Sequence, residues 1–122
     1  MTTIEKVYSE SEIEQRLSEQ LPHWRLKDGC IARRYRTGGW KGTLMVVNVI
    51  GHLAEAAWHH PDIHASYKAV TVELTTHSAN GITDKDFDLA IEIEDVVQWR
   101  PAGDSALEGT PQDPRFKYIE YD

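Results

Sequence analysis

Residues 24–35 read Trp24-Arg25-Leu26-Lys27-Asp28-Gly29-Cys30-Ile31-Ala32-Arg33-Arg34-Tyr35. Asp28-Gly29 is a two-residue turn signal, because both positions tolerate positive φ, and the segments on either side alternate as strands do. A turn that tight joins antiparallel neighbours. Upstream, Ser9-Glu10-Ser11-Glu12 has the capping-box spacing, Ile13, Leu17 and Leu21 recur every four residues, and Pro22 stops the pattern. This predicts a short amphipathic helix in front of the hairpin. Downstream, Gly38-Gly39 opens a long helical segment from about Trp40 to Trp58. Its apolar positions Leu44, Val47, Ile50, Leu53, Ala54 and Ala57 fall three and four apart, and Asn48, His52, Glu55 and His59 share a narrow polar stripe. Pro61 ends or breaks that helix.

Tyr67 to Thr76 is a strand with Val70, Val72 and Leu74 facing one way, and Ile63 to Ser66 is its weaker partner. Asn80-Gly81 is a turn, and Thr83-Asp84-Lys85-Asp86 starts a last helix with a carboxylate where the helix dipole favours one. Phe87, Ala90, Ile91, Ile93, Val96 and Val97 carry it to about Trp99. The order is helix, strand, strand, helix, strand, strand, helix. That order predicts an α+β domain over residues 1–99: a four-stranded antiparallel sheet with three helices on one face. Past Arg100, residues 100–122 form a Pro- and Gly-containing C-terminal extension whose end, Arg115 to Tyr121, is too aromatic for a free tail. It is expected to dock on the domain or on a neighbouring subunit.

With 122 residues there is room for one core of ordinary size. Thirteen Lys and Arg against twenty Asp and Glu leave a net charge of −7, which argues against a nucleic-acid backbone or an anionic membrane as partner. No apolar run reaches the ~20 residues of a membrane span. The first residues lack the basic and apolar order of a secretory signal. The lone Cys30 excludes an intrachain disulfide and suits a reducing, cytoplasmic setting.

Five of the six histidines lie between residues 52 and 77. The sharpest cluster is Glu55-Ala-Ala-Trp-His59-His60-Pro61-Asp62, in which Glu55 can meet His59 if the helix runs that far. His77 follows a strand end, and Asp86 opens the last helix. Three imidazoles and two carboxylates suit proton transfer near neutral pH. His23, His52 and His64 read as ordinary surface residues, the last of them as a solvated loop residue. A His-cluster metal site is the rival reading. No His-Glu-x-x-His is present, however, and adjacent histidines on a regular helix do not easily share one ion.

These residues resemble the pterin-4a-carbinolamine dehydratases, also called 4a-hydroxytetrahydrobiopterin dehydratases. The likeness rests on Glu55, His59-His60-Pro61, Tyr67, Val70 and Val72, then Leu74-Thr75-Thr76-His77, Gly81-Ile82-Thr83, Asp86 and Leu89-Ala90, with Trp24 after the first helix. It covers about residues 9 to 99. Ile63 departs from it, standing where the family often has an aromatic residue.

The resemblance implies the four-stranded, three-helix fold, a homodimer or homotetramer, and no metal or organic cofactor. It implies that His59, His60 and His77 line a pterin pocket as catalytic residues, with Trp24, Glu55 and Asp86 binding or orienting the substrate. The expected reaction is loss of water from a 4a-hydroxy-tetrahydropterin to give quinonoid dihydropterin, a step of pterin cofactor regeneration. The alternative is a protein-binding module on the same scaffold, since relatives include dimerisation cofactors and enzyme-assembly factors.

Overall fold

Residues 5–122 are described in a computed structural model. Residues 1–4, part of the start read above for a secretory signal, lie outside the described residues. The elements are α1 (Glu10–Gln20), β1 (Arg25–Lys27), β2 (Cys30–Arg36), α2 (Trp40–Ala57), β3 (Asp62–Ser66), β4 (Ala69–Leu74) and α3 (Asp84–Val97), with one 3-10 turn over His77–Ala79. The sheet is antiparallel throughout, in the order β1-β2-β4-β3. Asp28 and Gly29 both take positive φ, as the tight β1–β2 turn requires.

Register places Ile31 opposite Leu74, Arg33 opposite Val72 and Tyr35 opposite Val70. These six side chains share one face. They are at most 4% exposed and lie under the helices with Leu17, Ile50, Phe87 and Ile93. Arg34 and Arg36 point to the other face and are exposed. His64 lies on that side too, in β3 rather than in a loop, and its ring meets Glu73 at 2.6 Å. Among the described residues no helix is long and apolar enough to cross a membrane.

Two predicted faces shift. On α2 the buried line runs through Thr43, Val46, Ile50 and Ala54, while Leu44 and Met45 are each 43% exposed and Ala57 is exposed. Apolar residues surround most of this helix, so periodicity alone did not select the core side. Thr43 turns inward because its hydroxyl has partners there: Thr37, and the carbonyls of Ser66 and Tyr67. On α3 the helix stops at Val97, and Val96 and Trp99 are exposed.

The C-terminal residues return to the sheet. Ile119 bridges to Thr37 and is fully buried; Gly38 N–H donates to Tyr118 O and Glu120 N–H to Arg36 O. Asp122 accepts from Arg33 and Arg36 at 2.8 and 2.9 Å. The domain side is shaped for this segment. A Cβ at Gly38 would collide with the Lys117 carbonyl, and one at Gly42 with the Tyr118 carbonyl.

Candidate active site

The site begins where α2 ends. Trp58 takes a left-handed conformation (φ 54°, ψ 47°), and its N–H caps α2 on Ala54 and Glu55 carbonyls. Such a residue reverses the chain and breaks the helical side-chain order. Glu55 and His59 therefore do not pair. Glu55 Oε2 instead meets His60 Nε2 at 2.6 Å, and His59 Nε2 meets Asp86 Oδ1 at 2.7 Å. Trp58 itself is 76% exposed, with its ring edge-on to His60 at 5.0 Å.

The two pairs differ in setting. Both members of the Glu55–His60 pair are at least half exposed, at 68% and 50%. In the other, Asp86 is completely buried and the His59 side chain is 14% exposed. Asp86 is also the third residue of α3 and closes its capping box with Thr83. Its Oδ2 accepts from the Thr83 N–H at 2.9 Å and from the Thr76 hydroxyl at 2.7 Å, and that hydroxyl lies 2.8 Å from Thr83 Oγ1. One carboxylate oxygen thus closes the helix start, leaving the other for His59. A carboxylate accepts, so His59 Nε2 is the donor in this contact.

His77 is the first residue of the 3-10 turn after β4, exposed and next in sequence to Thr76. A cavity of about 540 Å³ opens between α2 and α3, lined by Leu53, Ala57, Trp58, His59, Lys85 and Leu89 among others. That size suits a small organic ligand of about 300–1,000 Å³ sites. Of the six predicted site residues, His59 is the one that lines it.

Trp24 is placed elsewhere. It is 4% exposed, and its indole N–H donates to Glu94 Oε1 at 3.0 Å. The same oxygen accepts from Arg33 Nε at 2.9 Å and from the Tyr35 hydroxyl at 2.7 Å. Burial and the Glu94 charge push the Tyr35 phenol up, so it remains a donor. Thr76 and Thr83 were not among the predicted site residues. The capping-box spacing from Thr83 to Asp86 was the available signal for one of them. Among the described residues, no group of three His, Cys, Asp or Glu side chains is arranged to hold one metal ion.

Known proteins agree with this architecture. The sequence profile of a family described as Pterin 4 alpha carbinolamine dehydratase matches residues 6–96. A provisionally named pterin-4-alpha-carbinolamine dehydratase of Aquifex aeolicus is 47% identical over 90 residues, which are 74% of this chain and 90% of that one. A protein of the same provisional name from Picosynechococcus is 49% identical over 82 residues, 67% of this chain and 88% of its own. The crystal structure of a transcriptional coactivator/pterin dehydratase from Brucella melitensis superposes with a TM-score of 0.68 at 26% identity, covering 75% of this chain and 99% of that one. With its element order, its sheet and most of its length shared with these relatives, the chain belongs to the pterin 4 alpha carbinolamine dehydratase family.

Proposed function

We propose that the chain dehydrates a 4a-hydroxy-tetrahydropterin to quinonoid dihydropterin by histidine acid–base catalysis, as a step of pterin cofactor regeneration. The observation that carries this reading is the His59–Asp86 pair: an imidazole held by a buried carboxylate at the wall of a ligand-sized cavity. The chemistry needs no redox partner. The C4a–O bond breaks as the hydroxyl takes a proton and leaves as water. A base removes the N5 proton, and the N5–H electrons become the second bond of C4a=N5.

In this reading His60 and His77 are the main proton carriers and His59 positions the substrate. His60 and His77 are exposed, so protons can be exchanged with water between turnovers. Glu55 orients His60 and Asp86 orients His59. Trp24 is buried away from the cavity with its indole N–H engaged by Glu94, so it is assigned no substrate contact in this reading. The exposed Leu44 and Met45 on α2 support self-association into a dimer or tetramer.

The test is a dehydration assay on a 4a-hydroxy-tetrahydropterin, with metal analysis of the same sample. His60→Ala and His77→Ala should each slow the reaction by about 10²-fold or more. Near-normal rates in both variants reject the assignment, and stoichiometric bound metal rejects the metal-free mechanism. A second reading, a protein-binding module, is favoured by one observation: the Brucella melitensis relative is described as a transcriptional coactivator as well as a dehydratase. A chain of that kind would bind a partner protein without needing its histidines.

A further inference from the structure

The C-terminal segment borders a second, open cavity, of about 530 Å³, which shares no lining residue with the one beside His59. Arg34 and Arg36 reach it from the end of β2, Lys68 from the β3–β4 turn, and Lys117 from the C-terminal segment. Two carboxylates answer these four cations. Glu120 lines the cavity and meets Lys117 at 2.9 Å, and Asp122 meets Arg36 at 2.9 Å. Among the described residues, Arg34 and Lys68 have no carboxylate partner. In a chain of net charge −7 this is a local reversal of sign. Cations gathered around one concavity repel each other and focus a positive potential into it, and an anion relieves both.

We propose that this cavity binds the phosphate group of a phosphorylated small molecule. Guanidinium groups match phosphate oxygens with paired N–H donors, and an ammonium adds a point charge, so two arginines and two lysines form a phosphate-type donor set. The volume fits a small ligand. A long polyanion fits less well with a chain of net charge −7.

The site depends on the extension. Gln112, Pro114, Lys117 and Glu120 supply one wall, whereas the family match ends at residue 96. Gly38 lets that wall close, since a Cβ there would strike the Lys117 carbonyl. Phosphate binding is therefore a property this chain adds to its dehydratase core, separate from the pterin pocket.

The experiment is a calorimetric titration of the full chain with inorganic pyrophosphate, repeated on the double variant Arg34→Ala with Lys68→Ala. Saturable binding of roughly millimolar strength or tighter is expected. The double variant should weaken it by about tenfold or more. Its thermal stability should be equal or higher, because two mutually repelling charges are removed. Its dehydratase rate should be unchanged, because among the described residues neither side chain has an ion-pair partner or lines the cavity beside His59. Absence of saturable binding overturns the proposal, as does equal binding by wild type and variant. An oligonucleotide that binds where pyrophosphate does not compete also overturns it, in favour of a polyanion surface.

Discussion

His59 and Asp86, 27 positions apart, meet at 2.7 Å, and the contact ties the end of α2 to the first turn of α3. Asp86 cannot change without disturbing two things at once, the helix start and the imidazole.

Asp86→Ala should cost about 2–4 kcal/mol, combining loss of a cap with unpaired Thr76 and Thr83 donors. Asp86→Asn keeps an oxygen for the Thr83 N–H and should cost less, while still replacing the carboxylate that holds His59. Urea denaturation and the dehydration assay together check this. Wild-type activity in Asp86→Asn would show that the carboxylate does not position His59.

Glu55→Gln should barely move stability, within about 0.5 kcal/mol, because the Glu55–His60 pair is exposed. The dehydration rate should nonetheless fall, since the amide leaves His60 without its charged partner. A variant of normal rate would assign the pair to the surface alone.

Gly42→Ala sets two effects in opposition. Alanine is the better helix former by about 1 kcal/mol. Here the added Cβ would run into the Tyr118 carbonyl, which cannot retreat without pulling Ile119 from the core. The prediction is net destabilisation and release of the C-terminal segment, seen as protease cleavage before residue 119. A more stable, protease-resistant variant would contradict it.

Acid should loosen the same segment. Burial acts to raise the Glu94 carboxyl, but hydrogen bonds from Arg33, Tyr35 and Trp24 outweigh it and hold the group below the usual carboxylate range. At Asp122 burial is likewise outweighed by Arg33 and Arg36. A carboxyl lowered by folding stabilises fully above its ordinary value and loses that contribution as pH falls through the lowered one. Stability should therefore decline below about pH 4. Asp122→Asn should flatten that decline, as read from urea midpoints across pH; an unchanged slope would remove Asp122 from the acid response.

Much of the fold was legible because its signals are local. The Asp28-Gly29 turn, the Ser9 and Thr83 capping boxes and the alternation of Val70, Val72 and Leu74 each depend on neighbours within a few residues. The core side of α2 was not legible, because a helix apolar on most of its surface has no single periodic answer. Buried partners for the Thr43 hydroxyl decided it instead. Among the candidate site residues, the pairings were not legible. The four-residue spacing of Glu55 and His59 suggested a contact that the left-handed Trp58 abolishes.

By itself, the sequence determined the order of elements, the antiparallel sheet and the histidine cluster, because turns, caps and side-chain periodicity are short-range. Only the tertiary structure decided which carboxylate holds which imidazole, where the Trp24 indole N–H is engaged, and how residues 117–122 close over Gly38 and Gly42. Apart from the exposed Glu55–His60 contact, those outcomes join positions 27 or more apart in the chain, and such pairs meet only once burial has fixed the packing.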